Sequence, residues 1–107
     1  MIEEANKVLA EADCLFNKTQ VEAALDALAL RISERLAQSN PIVICVLNGA
    51  LVVTGELLTR LAFPLQVDYL HASRYREKLS GADLQWKARP SSDIAGRTVL
   101  IVDDILD

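Results

Sequence analysis

Apolar side chains recur at helical spacing in the first part of the chain and predict two helices. Residues 2–13 place five of them near one face, namely Ile2, Ala5, Val8, Leu9 and Ala12. A second helix is expected from Thr19, because Thr19-Gln20-Val21-Glu22 fits a capping box. Its apolar stripe consists of Val21, Leu25, Leu28, Ile32 and Leu36. Ser39-Asn40-Pro41 should end it, since proline cannot continue a helix.

Three apolar runs in the rest of the chain predict strands. Residues 42–47 form a continuous run rich in β-branched side chains, which favours a strand buried on both faces. Residues 50–62 predict a helix with Leu51 and Leu58 facing inward, and residues 65–72 predict the next strand. This strand-helix-strand order is typical of parallel strands joined by a right-handed crossover. Residues 98–102 predict a third buried strand.

Residues 73–90 break this pattern with a polar stretch rich in Arg, Lys and Ser. A connection of this length in a small domain is usually functional. We expect a long hairpin or flexible flap here, with Trp86 as an anchor.

Composition excludes several classes of protein without naming a function. The 107 residues suit one domain, and 51% hydrophobic with 24% charged residues is ordinary for a globular protein. A net charge of −4 argues against a broad basic face for nucleic acid. No apolar run approaches the ~20 residues of a membrane helix, and Met1-Ile2-Glu3-Glu4 does not begin a signal peptide. Cys14 and Cys45 form no metal or redox motif, so buried, reduced thiols are expected.

Polar residues follow each predicted strand: Asn48-Gly49, Ser73-Arg74-Tyr75, and the acidic run that starts at Asp103. Ligands of open parallel sheets bind beyond the carboxyl ends of the strands, so all three should share one edge. Asp103 and Asp104 can accept hydrogen bonds from vicinal hydroxyls or hold Mg²⁺, and Asp107 is placed to act as a general base. Taken alone, the acidic pair also fits a solvated turn that caps a helix. Asn48-Gly49, taken alone, also fits an ordinary strand-to-helix turn.

Together these segments resemble the type I phosphoribosyltransferase family. Residues 99–107, Val-Leu-Ile-Val-Asp-Asp-Ile-Leu-Asp, resemble the first nine positions of the phosphoribosyl-pyrophosphate motif. Residues 46–50 resemble the pyrophosphate loop, where a non-proline cis peptide is expected between Leu47 and Asn48. Residues 67–75 resemble the strand and the start of the flexible loop in the hypoxanthine-guanine branch. Two positions depart from the family pattern, because Asn48 replaces a frequent basic residue and Arg74 replaces Ser.

The resemblance implies an α/β fold with a parallel-sheet, Rossmann-like phosphoribosyltransferase core, N-terminal helices and a flexible hairpin flap. Since the family motif continues past the position of Asp107, residues 1–107 would be a single, C-terminally truncated domain that is inactive alone. The implied reaction is purine salvage, in which phosphoribosyl pyrophosphate and hypoxanthine or guanine give the nucleoside monophosphate and pyrophosphate. The implied cofactor is Mg²⁺, and the implied protein is a cytoplasmic dimer or tetramer without nucleic-acid or membrane partners.

The resemblance also assigns roles to individual residues. Asp107 would be the catalytic base, and Asp103 and Asp104 would bind the ribose hydroxyls and the metal. The remaining substrate-binding positions are Leu47, Asn48, Gly49, Ser73, Arg74 and Tyr75. The alternatives are a receiver-type signalling domain, a regulatory nucleotide-binding module on the same fold, and a non-catalytic fragment.

Overall fold

The computed structural model describes residues 1–74 and 84–105 of the chain. It contains three helices and four strands in these segments. In chain order they are α1 (Ile2–Glu11), α2 (Lys18–Leu36), β1 (Ile42–Leu47), α3 (Leu51–Leu58), β2 (Gln66–Arg74), β3 (Leu84–Ala88) and β4 (Val99–Val102).

The strands form one mixed sheet in the order β3-β2-β1-β4. Strand β1 runs parallel to both neighbours, with Cys45 opposite Tyr69 on β2 and Val102 on β4. Strand β3 pairs antiparallel with the end of β2, from His71 to Arg74. The predicted α/β core and its parallel strands are therefore confirmed, and so is the antiparallel pairing of a hairpin. The remainder of the predicted flap, residues 75–83, lies outside the described residues.

Helices α2 and α3 cover one face of the sheet and form the hydrophobic core with it. The buried members of this core are Leu25, Ala29, Ile32, Val43, Cys45, Ala50, Leu57 and Val102. Burial of each large aliphatic side chain contributes about 1.5–3 kcal/mol. Strand β1 is covered on both faces as predicted, with Ile42 0% exposed. Strand β4 lies at the edge of the described sheet, and its Ile101 is 61% exposed, so burial of this strand on both faces was a wrong prediction.

The side chain of Asp68 binds the segment before β4 on the face of the sheet opposite α2 and α3. This residue of β2 is only 5% exposed, and its carboxylate accepts hydrogen bonds of 2.7 Å from the Ser92 amide and 2.7 Å from the Tyr69 amide. The amide and then the hydroxyl of Ser92, followed by the Tyr69 amide, hold the pKa of Asp68 below its usual value. The segment that leads into β4 is thereby held against β2.

Arg97 joins the amino ends of the three parallel strands. Its guanidinium donates to the Asn40 carbonyl oxygen just before β1 (2.7 Å) and to the Gln66 side-chain oxygen at the start of β2 (2.8 Å). Arg97 itself stands two positions before β4. We call this arrangement the Arg97 clamp, and it sets the strands side by side at the edge opposite their carboxyl ends.

Several local predictions were wrong, each for an identifiable reason. Helix α2 begins at Lys18 and is capped by Asn17, two residues before the predicted cap Thr19. Gln20 completes this capping box, and Asn is at least as good an N-cap as Thr. Leu51 is exposed since α3 buries Thr54 and Leu57 instead. Cys14 is exposed as well.

The amino-terminal helix accounts for the position of Cys14. Helix α1 forms as predicted but buries none of its residues, so the segment that follows it has no core to enter. Cys45 is buried in β1, as predicted. Within the described segments, no helix is long and apolar enough to cross a membrane.

Candidate functional site

The loop after β1 occupies the carboxyl edge of the sheet. Leu47 ends the strand, and the peptide bond between Leu47 and Asn48 is cis, as the resemblance led us to expect. Asn48 and Gly49 are both exposed. The loop is closed by hydrogen bonds from the Ala50 amide to the Val46 carbonyl (3.1 Å) and from the Leu51 amide to the Asn48 carbonyl (3.0 Å). Helix α3 starts directly afterwards, so the loop backbone is held between two regular elements.

The acidic pair follows β4 at the same edge. Strand β4 ends at Val102, level with Cys45, which brings Asp103 and Asp104 to the height of the last residues of β1. Both side chains are exposed, and the Asp104 amide donates to the Asp103 carboxylate at 2.8 Å. This bond orients one carboxylate toward the backbone and leaves the other available for a different partner.

The loop and the acidic pair are in direct contact. A Cβ atom built on Gly49 would clash with the carboxylate of Asp104, whose Cγ, Oδ1 and Oδ2 are the heavy atoms nearest to that position. The prediction that these two features share one edge is therefore confirmed. This contact could not be predicted from the sequence, because it depends on β4 pairing with β1 rather than with β2.

A shallow hollow of about 390 Å³ extends from this contact beneath the edge. One wall consists of the acidic pair and Gly49, and the other of side chains from α2 and α3, namely Val21, Leu25, Val52, Val53 and Glu56. Apart from Glu56, whose carboxylate accepts a hydrogen bond from Arg60, this second wall is aliphatic and offers no side-chain hydrogen bonds to a ligand. Polar recognition at this edge is therefore concentrated in the acidic pair and the backbone of the loop.

The structure places the remaining predicted residues only in part. Ser73 and Arg74 are the last residues of β2, beyond His71, which pairs with Leu47. They therefore extend past the end of β1 at the same edge. Tyr75 and Asp107 lie outside the described residues, so their predicted roles stay predictions.

Sequence reasoning missed Asp68 as an organising residue. The signal was available, because a single carboxylate interrupts the otherwise apolar and aromatic run from Val67 to Leu70. A buried carboxylate needs hydrogen-bond donors, which here come from Ser92 and Tyr69. The identity of the distant donor could not be read from the sequence.

The acidic pair fits magnesium as a partner shared with a substrate. No group of three or more metal-ligating side chains occurs within residues 1–74 and 84–105. Mg²⁺ usually binds through one or two carboxylates together with substrate phosphates and water, rather than in an all-protein cage. Two exposed, adjacent carboxylates at an open edge match that requirement.

Comparisons with known proteins agree with this geometry. The family model described as "Phosphoribosyl transferase domain" matches residues 11–107. Hypoxanthine-guanine-xanthine phosphoribosyltransferase of Tritrichomonas foetus is 36% identical over 93 residues, covering 87% of this chain and 51% of that protein. Hypoxanthine-guanine phosphoribosyltransferase of Streptococcus thermophilus is 26% identical over 94 residues, covering 87% and 52%.

A solved structure shows the same likeness in three dimensions. The hypoxanthine-guanine phosphoribosyltransferase of Bacillus anthracis superposes with a TM-score of 0.82 at 26% identity, covering 90% of this chain and 57% of that one. The chain spans about half the length of the curated relatives it matches. With a family match over residues 11–107 and this shared architecture, the chain belongs to the phosphoribosyl transferase family.

Proposed function

We propose that this chain is part of a hypoxanthine-guanine phosphoribosyltransferase of purine salvage. The reaction would transfer the ribosyl phosphate of phosphoribosyl pyrophosphate to hypoxanthine or guanine and release pyrophosphate. The observation that carries the proposal is the contact between the Gly49 loop and the Asp104 carboxylate at the carboxyl edge. It supports a site where donors for an anion and acceptors for hydroxyl groups stand side by side. A cytoplasmic location and a homo-oligomeric state are proposals carried by the family resemblance alone.

The proposed division of labour follows the chemistry of the ligand. Backbone groups from Leu47 to Gly49 would take the pyrophosphate, because exposed amides beside a helix start favour anions. Asp103 and Asp104 would accept hydrogen bonds from the 2′- and 3′-hydroxyls of the ribose. Mg²⁺, when bound, would neutralise charge on the leaving pyrophosphate.

Asp107 and the segment from Ser73 to Tyr75 have proposed roles as well. Asp107, as the general base, would accept the N7 proton of the purine as the bond between base and sugar forms. Ser73, Arg74 and Tyr75 would begin a flap that excludes water, which otherwise hydrolyses the activated sugar.

Binding of phosphoribosyl pyrophosphate to the 107-residue chain tests the proposal. Titration of the ¹⁵N-labelled chain with this ligand and Mg²⁺ should move the amide signals of Asn48, Gly49, Asp103 and Asp104. The double variant Asp103→Asn/Asp104→Asn should lose the response. Asp93→Asn is the matched control, because it removes an exposed carboxylate away from the carboxyl edge and should bind like the wild type.

Signals that move throughout the chain, or a double variant that responds like the wild type, would contradict the assignment of these residues to ligand binding.

The role of Asp107 as catalytic base needs a separate measurement, in a catalytically active enzyme that contains this chain. There Asp107→Asn should lower turnover by roughly 10²–10⁴, the usual worth of a positioned acid-base group. Asp104→Asn should also raise the KM for phosphoribosyl pyrophosphate, since it removes a ground-state contact. Near-normal turnover of Asp107→Asn would remove that residue from the mechanism.

A further inference from the structure

Gly49 leaves a space that the Asp104 carboxylate fills. The three heavy atoms nearest to a Cβ built at position 49 all belong to the Asp104 side chain, and they lie too close for any carbon to be added there. Even the smallest side chain at this position must therefore displace the carboxylate. The contact joins the loop after β1 to the residues after β4, which lie far apart in sequence.

The need for glycine at this position comes from space rather than from backbone conformation. Among the described glycines, only Gly96 has a positive φ, of 72°. The backbone of Gly49 is thus open to alanine, and only the added carbon conflicts with the structure. The atoms it meets are the end of an exposed, rotatable side chain, so the conflict can be relieved by rotation of Asp104 with the loop unchanged.

We propose that Gly49 is a positioning residue for Asp104. Its bare Cα seats the second carboxylate of the acidic pair against the loop from Leu47 to Gly49. The acceptor for the ribose hydroxyls and the backbone donors for pyrophosphate are then aligned as one unit before any ligand arrives. The identity of these ligands rests on the proposed function, whereas the seating of the carboxylate does not.

This role differs from that of a glycine that only lets the backbone approach an anion. A glycine of that kind would act whether or not Asp104 is present. A positioning glycine acts through the carboxylate, so its effect must vanish when the carboxylate is removed. A double-mutant cycle between the two positions separates the two roles.

The experiment uses the 107-residue chain and four alanine variants, namely Gly49→Ala, Asp104→Ala, the double variant and the control Gly55→Ala. The ¹³C resonance of the Asp104 carboxyl group is measured without ligand, and affinity is measured by calorimetry with phosphoribosyl pyrophosphate and Mg²⁺. Gly49→Ala should shift the Asp104 resonance, leave that of Asp93 unchanged, and weaken binding at least about tenfold, or 1.4 kcal/mol. In an Asp104→Ala background, the same Gly49→Ala change should alter affinity by less than about twofold.

Gly55→Ala is the matched control, because a Cβ at position 55 meets no atom within 4 Å. It should change neither the Asp104 resonance nor the affinity. An unshifted Asp104 resonance in Gly49→Ala overturns the proposal, as does an equal loss of affinity with and without Asp104. Unfolding of Gly49→Ala, read by circular dichroism, also overturns it, since the carboxylate should yield first. If the wild type binds no phosphoribosyl pyrophosphate, the proposed function fails for this chain, while the ligand-free resonance still decides the role of Gly49.

Discussion

Replacement of Asp68 should reveal how strongly one buried carboxylate holds the fold together. Asp68→Ala would leave the amides of Ser92 and Tyr69 without their acceptor in a nearly buried position. Hydrogen bonds to charged groups contribute about 1.5–3 kcal/mol each, so loss of the two should cost about 3 kcal/mol or more. That is a large part of the ~5–15 kcal/mol that stabilises a typical domain. Asp68→Asn keeps one acceptor oxygen but turns an amide toward a donor, so its cost should be intermediate.

The same carboxylate should make stability depend on pH. Because its pKa is lowered in the folded chain, first by the Ser92 amide, the folded state binds this proton less readily than the unfolded state. The resulting stabilisation is present above the ordinary aspartate pKa of about 3.9 and is lost as the pH falls through the lowered folded value. Asp68→Asn should therefore show a smaller decrease in stability between about pH 5 and pH 3 than the wild type.

Urea unfolding followed through Trp86 fluorescence is a suitable measurement, because Trp86 lies on β3, which pairs with β2. Asp93→Asn serves as the control, since it changes an exposed carboxylate on the same segment as Ser92 and should shift stability by less than about 0.5 kcal/mol. Asp68→Ala within that margin of the wild type would refute the structural role assigned to Asp68. An unchanged pH dependence in Asp68→Asn would refute the electrostatic part.

Four further predictions concern local structure and the edge strand. Gly55→Ala should raise the free energy of unfolding by about 0.5–1 kcal/mol in urea titrations, because Gly55 is exposed within α3 and alanine meets no atom there. Gly96→Ala should lower it by about 1–2 kcal/mol, since φ is 72°, and equal stability of the two variants would contradict both assignments. Asn17→Ala should destabilise α2 by about 1 kcal/mol in thermal melts, whereas Thr19→Ala should not, and the reverse order would restore Thr19 as the cap. The exposed Ile101 on edge strand β4 predicts that the chain self-associates through this edge, so Ile101→Lys should reduce that association in sedimentation velocity without lowering the melting temperature. Undiminished association would place the contact elsewhere.

The elements with strong local signals were predictable from the sequence. The run from Ile42 to Leu47 could be identified as a central strand, because a continuous run of β-branched residues is typical of a strand buried on both faces. The end of α2 before Pro41 and the start of α3 after Gly49 follow from backbone chemistry alone. Such features depend on neighbouring residues, which the sequence contains.

Features that depend on distant partners were not predictable. The exposure of Cys14 and Ile101 depends on what packs against them, and the pattern of apolar residues does not contain that information. For the site, both Gly49 and Asp104 could be singled out, but their contact required the order of strands in the sheet.

The Arg97 clamp lies at the end of the sheet opposite the candidate site. Hydrogen bonds at the amino ends fix how β1, β2 and the segment before β4 lie beside one another. The residues of the candidate site follow the strands at the other end. Substitutions there can change side chains of the candidate site while the strands keep their pairing, so the site can vary without loss of the fold. Substitution of Arg97 should have the opposite effect, because it would disturb the amino ends of all three parallel strands without changing a residue of the candidate site.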